Sequence, residues 1–244
     1  MKFLKFLVHP YFLLTIILIA AFYVRLYKID NPVADWHSWR QADTAAVSRN
    51  FFKEGFNPLI PKYDDMSGVA QLPVPNPNRY RFVEFPIYNS LVYFGYLLNN
   101  GVDERIARLV NILFTLGSII FVYLISKKYF GQFTGLVSAL IMAILPYNIF
   151  FTRVILPEPS LVFFSLGMFW FVNMWIFDSS KKNYFLALTF MMLAFLTKPY
   201  AIFYLIPLIY SYYKKEGKLF PIPKRYFGLF IPAILPFLGW RVWI

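Results

Sequence analysis

Long apolar runs make up most of this chain, and its polar residues collect in the stretches between them. An apolar helix of about 20 residues is long enough to cross the hydrocarbon core of a bilayer. The pattern predicts seven membrane spans, at about residues 9–27, 105–126, 132–150, 157–177, 183–197, 199–213 and 226–243. We therefore expect an all-α polytopic membrane protein.

Three places along this pattern need separate interpretation. Residues 86–99 form an apolar stretch of only about 14 residues, which suits an interfacial or re-entrant helix better than a crossing. Lys198, within the sequence Thr-Lys-Pro, divides the fifth predicted span from the sixth. The first run has the charge pattern of a signal peptide. However, it ends at Arg25 without a small-residue cleavage site, which favours an uncleaved span.

The composition excludes a soluble domain. Hydrophobic residues make up 59% of the chain and charged residues 15%, whereas soluble domains are about a quarter charged. Cysteine is absent, so no disulfide can form. The net charge of +12 comes from Lys and Arg at the ends of the apolar runs. This placement predicts membrane orientation and contact with anionic lipids, not binding to nucleic acid.

The basic loops predict the topology. They lie at residues 127–128, 181–182 and 214–225, and basic loops are expected on the cytoplasmic side. Counting back from them places the N-terminus inside and residues 29–104 outside as one long loop, provided that residues 86–99 do not cross. We treat residues 1–244 as one transmembrane module. No polar tail follows the last span, so we expect the C-terminal part of a longer protein to be missing.

The external loop should carry a short helix over residues 44–54, ended by Gly55. Asp43, Ala46 and Asn50 share one face of it by helical spacing. Under the predicted topology, four segments meet on the outer surface: residues 35–43, 79–84, 153–158 and Lys198.

Charged groups at such a membrane boundary are candidates for function. Carboxylates act there as bases or metal ligands, and Arg and Lys bind phosphate. Each candidate also has a plainer interpretation. Lys198 fits a snorkelling anchor, and Glu158 fits a favourable charge at a helix N-terminus. Arg81 fits a solvated loop charge, Trp39 fits an interfacial anchor, and His37 lacks a second histidine at ligand spacing.

Several short motifs resemble those of the GT-C glycosyltransferases in their order and spacing. The similar branch comprises bacterial relatives of the protein O-mannosyltransferases and of the lipid A aminoarabinose transferase. The motifs lie at residues 45–55, 84–88, 105–109, 127–131, 153–158 and 196–199. Together they cover nearly the whole chain, and the family's fold also begins with seven spans and a long external first loop.

The resemblance implies a GT-C bundle in the plasma membrane that transfers a sugar from a polyprenyl-phosphate donor. The acceptor is a glycan, lipid or protein on the non-cytoplasmic face, and the anomeric centre is inverted. The carboxylates implied for catalysis are Asp43, Asp35 and Glu84, with Glu84 also a possible ligand of a divalent metal. The implied phosphate-binding residues are Lys198, Arg153, Arg40 and Arg81. The residues implied to position the acceptor or sugar are Glu158, Trp39 and His37.

The sequence departs from the family pattern at one important position. The family usually has Asp-Glu at the start of the loop helix, where this chain has Arg40 and Gln41. Asp43 comes one turn later and is our preferred base, with Asp35 as the competing candidate. Two other function classes stay open. One is a transporter or flippase of a lipid-linked sugar, and the other is a non-catalytic truncated homologue.

Overall fold

A computed structural model describes residues 9–33, 36–67 and 75–244. The described residues form helices and one isolated β-bridge between Lys62 and Tyr80, with no β-sheet. The helices are α1 Pro10–Arg25, α2 Ser38–Glu54, α3 Ile87–Leu98, α4 Glu104–Phe130, α5 Gln132–Ile144, α6 Pro146–Phe151, α7 Glu158–Asp178, α8 Lys181–Thr197, a 3-10 helix Pro199–Leu205, α9 Ile206–Glu216 and α10 Lys224–Trp243. The prediction of an all-α fold is confirmed.

Within the described ranges, three helices are long and apolar enough to cross a membrane: α4, α7 and α10. They match the predicted spans 105–126, 157–177 and 226–243. α1 and α5 are apolar but shorter. The protein is therefore an all-α membrane protein, as its composition predicts.

The predicted span 132–150 is broken into α5 and α6. Leu145 has an extended backbone, with φ −60° and ψ 120°, and Pro146 begins the second helix. Proline has no N–H to continue the helix and disfavours helical geometry in the residue before it. Likewise, the span predicted at 199–213 begins at Pro199 as a 3-10 helix before α9 continues it.

α3 has 12 residues, which at 1.5 Å per residue gives a helix of about 18 Å. A bilayer core is about 30 Å thick, so this length supports the prediction that residues 86–99 do not cross. The helix packs beside α2 and α4 through the buried side chains of Tyr88, Val92 and Tyr96.

The loop helix α2 begins at Ser38, earlier than the predicted start at residue 44, and Gly55 ends it with φ +110° as expected. Ala46 and Asn50 are buried, in agreement with the predicted inner face. The early start is not evident from the sequence because His37, at the N-cap, makes no side-chain capping bond.

α7 lies at the centre of the bundle. Phe164, Met168 and Val172 on α7 pack in one core with Met191 and Ala194 of α8. Close approach of α7 and α8 depends on Gly167, where a Cβ atom would lie 2.1 Å from the ring of Phe190.

The basic loops lie together around the C-terminal end of α7. Lys128 Nζ contacts Met174 Sδ at 3.3 Å, Lys215 Nζ contacts the Phe177 carbonyl at 3.5 Å, and Arg225 contacts Ser179 Oγ at 3.3 Å. We call this the basic end of the bundle. The opposite end, where residues 26–33, 36–67 and 75–103 pack, is the loop end.

Candidate active site

Two buried amide side chains hold the turn before α7 against the loop helix. Gln41 Oε1 accepts a hydrogen bond from the Ile155 N–H at 3.1 Å. Asn111 Nδ2, on α4, donates to the carbonyls of Val154 and Leu156 at 2.6 and 2.8 Å. The start of α2 and residues 153–158 are therefore fixed side by side.

The other two predicted segments join the same surface. The Phe85 N–H donates to the Leu196 carbonyl at 3.1 Å, which places Glu84 near the C-terminus of α8 and hence near Lys198. The four segments predicted to converge therefore lie together at the loop end. Asp35 belongs to residues 34–35, outside the described residues, so its position in the site stays a prediction.

Two arginines and two carboxylates form a compact charge network beside α2. Arg40 Nη2 lies 3.1 and 3.0 Å from the two carboxylate oxygens of Glu84. Arg81 Nη1 lies 3.1 Å from Asp43 Oδ2, and Arg81 Nη2 lies 4.0 Å from Glu84 Oε1. The side chains of Arg81 and Glu84 are only 7% and 6% exposed. Because the network is nearly buried, its charges attract each other more strongly than solvated charges do.

Burial also sets the protonation behaviour of this network. Partial burial raises the pKa of the Asp43 carboxyl, while Arg81 and Arg40 lower it less strongly. Burial likewise lowers the pKa of the Arg81 guanidinium, against the raising effect of Glu84 and Asp43. Asp43 therefore combines an ion pair with a raised proton affinity, as a general base requires.

A second ion pair lies at the N-terminus of α7. Lys198 Nζ is hydrogen-bonded to Glu158 Oε1. The other carboxylate oxygen of Glu158, Oε2, is buried and has no hydrogen-bond partner among the described residues. The Lys198 side chain is 17% exposed. It is therefore held by a carboxylate at the site, which differs from the solvated head of a snorkelling anchor.

Arg153 points towards the end of α1. Its Nη1 donates to the Tyr27 carbonyl at 2.6 Å, and its guanidinium lies over the rings of Tyr27 and Phe150, at 5.6 and 5.4 Å from the ring centroids. These contacts explain the burial of Arg153 by packing, and its predicted role in phosphate binding stays a prediction.

A cavity of about 460 Å³ opens beside these groups. Its wall comes from α2, α4, the α5–α6 break and the start of α7: His37, Trp39, Arg40, Thr115, Ser118, Met142, Tyr147, Asn148, Phe151, Thr152, Leu156, Glu158, Pro159 and Val162. Four predicted site residues therefore meet in one cavity, namely His37, Trp39, Arg40 and Glu158. Glu84 and Lys198 bind two of them, Arg40 and Glu158.

Aromatic side chains surround one side of this cavity. His37 has a left-handed backbone, with φ +58°. Its ring meets Trp36 edge-on at 5.5 Å and lies 6.0 Å from the ring of Phe151. Trp39 is 66% exposed, so its ring is free to contact a ligand.

The surroundings of Glu84 do not fit a divalent cation. Both of its carboxylate oxygens are bound by Arg40, and Arg81 is the next charged group. Among the described residues, no three His, Asp or Glu side chains lie close enough together to hold a metal ion. The metal stays a prediction, and we assign no step to it.

Arg25 is a site residue that sequence reasoning missed. It follows an apolar run and fits an ordinary boundary charge, yet it is fully buried behind the cavity wall. Gln41, Asn111 and Asn148 were missed as well. A single amide side chain has no sequence pattern that predicts a role in a site, so only the tertiary contacts show what these three residues bind.

Residues 86–243, more than half of the chain, match the family described as dolichyl-phosphate-mannose-protein mannosyltransferase. The chain belongs to this family, and the resemblance to the GT-C superfamily is confirmed. It is also similar to an uncharacterized protein of Aquifex aeolicus (strain VF5), with 33% identity over 120 residues. The match covers 49% of this chain and 27% of that protein, so the chain spans about a quarter of its relative. No solved structure matches the chain.

Proposed function

We propose that this protein is an inverting membrane glycosyltransferase that takes a sugar from a polyprenyl-phosphate donor. The acceptor is a glycan, lipid or protein on the non-cytoplasmic face of the plasma membrane. The cavity is the observation that carries the proposal. Its wall changes from charged groups of the loop end, Arg40 and Glu158, to less polar groups of the membrane helices, Thr115, Met142 and Val162. A substrate with a phosphate and a lipid tail has the same two-part character.

Arg40 is the proposed ligand of the leaving phosphate. A guanidinium binds phosphate through two parallel hydrogen bonds, and Glu84 holds the Arg40 guanidinium in place at the cavity wall. When the bond between the anomeric carbon and the phosphate oxygen breaks, the phosphate leaves with the electron pair. A preorganised cation stabilises this growing charge. If Asp43 is the base, Lys198 adds a second positive charge at the phosphate. If Glu158 is the base, its partner Lys198 lies on the acceptor side, and Arg40 binds the phosphate. Arg81 supports the network from behind Asp43.

Two carboxylates compete for the role of general base. The acceptor hydroxyl attacks the anomeric carbon on the side opposite the leaving phosphate and gives its proton to the base, which inverts the anomeric centre. Glu158 is favoured by its position, because it lines the cavity and its buried Oε2 has no hydrogen-bond partner among the described residues. Asp43, the base proposed from sequence, is favoured by its raised pKa.

The aromatic side of the cavity is the proposed place for a sugar. A sugar ring presents an apolar face that packs on an exposed indole. Trp39 lies next to Arg40 in the chain and lines the same cavity, so a sugar stacked on it would be close to the phosphate site. His37, on the same wall, offers a polar ring for hydroxyl groups.

The proposal is tested by assaying the full-length protein in vesicles with a panel of labelled polyprenyl-phosphate sugars. We expect sugar transfer with release of polyprenyl phosphate, and NMR of the product should show the opposite anomeric configuration. Arg40→Gln should lower the transfer rate by about 10²-fold or more, the usual effect of removing one group that stabilises the transition state. Arg105→Gln is the matched control, because this arginine of the loop end is 61% exposed and pairs with Asp103.

Two results would contradict the proposal. The first is movement of the intact lipid-linked sugar across the bilayer without release of polyprenyl phosphate, which is the behaviour of a transporter. The second is the absence of both transfer and transport across the panel, which is the behaviour of a non-catalytic homologue.

A further inference from the structure

The helix break behind the cavity leaves backbone carbonyls without helical hydrogen bonds, and a buried arginine donates to them. Because Pro146 has no N–H and Leu145 is extended, the carbonyls of Met142 and Ala143 lose helical partners. Arg25 replaces them, since Nη1 donates to the Ala143 carbonyl at 3.0 Å and Nη2 to the Met142 carbonyl at 3.4 Å.

The remaining donors of Arg25 are also used. Nε donates to Thr152 Oγ1 at 2.8 Å, Nη1 to the Ala21 carbonyl at 2.9 Å, and Nη2 to Asn148 Oδ1 at 2.7 Å. The side chain is fully buried, and all its described acceptors are uncharged. Buried charges are normally paired with an opposite charge. Here the positive charge of Arg25 is left without a carboxylate among the described residues.

This charge lies directly behind the cavity wall, because its partners Asn148 and Thr152 both line the cavity. An arginine has only donors, so the amide oxygen of Asn148 must face Arg25, and its NH₂ group lies on the other branch of the amide. That NH₂ group has no hydrogen-bond partner among the described residues, whereas the Thr152 hydroxyl already donates to the Asn148 carbonyl at 2.6 Å. Asn148 therefore offers the cavity an oriented donor backed by a positive charge.

We propose that Asn148 binds a phosphate oxygen of the lipid-linked donor and that Arg25 is the positioning residue that orients the Asn148 amide and supplies the field behind it. This inference rests on the proposed function, and it adds a second anion-binding element on the wall formed by α6. The cavity would then hold the phosphate between two positive groups: Arg40, which touches it directly, and Arg25, which acts through the amide.

The test compares two probes on the full-length protein in detergent: farnesyl phosphate and farnesol, which differ only by the phosphate. We expect the wild type to bind farnesyl phosphate more tightly than farnesol. Asn148→Asp keeps the oxygen that Arg25 binds, but it removes the NH₂ donor and adds a negative charge. It should reduce the preference for farnesyl phosphate about tenfold or more, the size expected for a hydrogen bond to a charged group, and leave farnesol binding unchanged.

Asn57→Asp is the matched control. It makes the same substitution at an exposed position of the loop end, where the side-chain oxygen that accepts from the Leu59 N–H is retained. Asn148→Leu provides a second variant of similar size if Asn148→Asp does not fold.

The outcomes separate this inference from the function on which it rests. Loss of the preference with unchanged farnesol binding supports it. If the wild type shows the preference and the Asn148 variants keep it, the inference is wrong and the proposed function stands. An equal loss of binding for both probes shows a merely structural role and also overturns the inference. A wild type with no preference for farnesyl phosphate overturns both.

Discussion

The two ends of the bundle differ in the charged side chains that they bury. At the loop end, Arg25 is fully buried, and Arg81 and Glu84 are nearly so. At the basic end, Lys214, Lys218 and Lys224 are exposed and form no ion pair among the described residues. Burying a charge is costly, so it persists where partners or function compensate the cost. An exposed lysine near a membrane costs little and sets orientation.

Among the described residues of the basic end, one ion pair is packed against aromatic rings. Arg225 pairs with Glu216 and lies over the rings of Tyr226 and Trp175, at 4.9 and 5.9 Å from their centroids. This cluster ties the end of α9 to the start of α10, so its role is in packing. The comparison therefore teaches that buried charge at the loop end belongs to the candidate site, whereas charge at the basic end is exposed or takes part in helix packing.

The largest expected effect comes from removing the base. Replacing the base by its amide should lower the transfer rate by about 10²–10⁴-fold, because general base catalysis contributes that much. We expect this loss in Glu158→Gln or in Asp43→Asn, with binding of the donor largely intact. The measurement is the rate of transfer in vesicles at saturating donor. Asp35→Asn is the third variant. A loss of transfer in that variant alone would assign the role of base to Asp35.

The pH profile distinguishes the two main candidates. A base must be deprotonated, so activity falls as the pH drops through its pKa. Burial raises the pKa of Asp43. The acidic limb of the pH–activity profile should therefore lie at higher pH than it would for an ordinary aspartate. Arg81→Gln removes a cation that lowers this pKa, so the limb should move to higher pH if Asp43 is the base. An unmoved limb would exclude Asp43 and leave Glu158 and Asp35 as the candidates.

The next effect concerns stability and uses the Arg40–Glu84 pair. Glu84→Met should destabilise the protein by about 3–5 kcal/mol, because it leaves a mostly buried guanidinium without its partner. The double variant Arg40→Met/Glu84→Met should recover much of this loss, since it removes both charges. Unfolding of the purified protein in mixed micelles measures both.

The control for this pair is Glu54→Ala, which breaks an exposed pair with Arg79. Exposed pairs contribute about 0–1 kcal/mol, so the stability should change little. Equal losses of stability in Glu84→Met and Glu54→Ala would contradict the conclusion that breaking a buried ion pair costs more than breaking an exposed one.

The smallest effect is expected at the basic end. Replacing Lys214, Lys218 and Lys224 together by Gln should change stability by about 0.5 kcal/mol or less per site and leave the transfer rate unchanged. Their orientation role is measured separately by labelling, because the chain has no cysteine. Lys218→Cys should react with a membrane-impermeant reagent only from the cytoplasmic side, and Asn57→Cys only from outside. The reverse pattern would overturn the predicted topology.

The sequence by itself determined the features that depend on local patterns. Apolar runs predicted the helices, the short run at 86–99 predicted a helix too short to cross, and Gly55 marked the end of α2. The clustering of the basic loops followed from alternation of the spans. Family membership was also readable from motif order, because motifs are local and their order is kept along the chain.

Only the tertiary structure decided how the charged groups are paired. Arg40 and Glu84 are 44 residues apart in the chain, and Arg81 and Asp43 are 38 residues apart. Arg25 finds acceptors more than 100 residues further along. A charge at the end of an apolar run has the same local pattern whether it is solvated or buried. Its state depends on what other segments bring to it, because the burial that strengthens an ion pair or orients an amide is created only by packing.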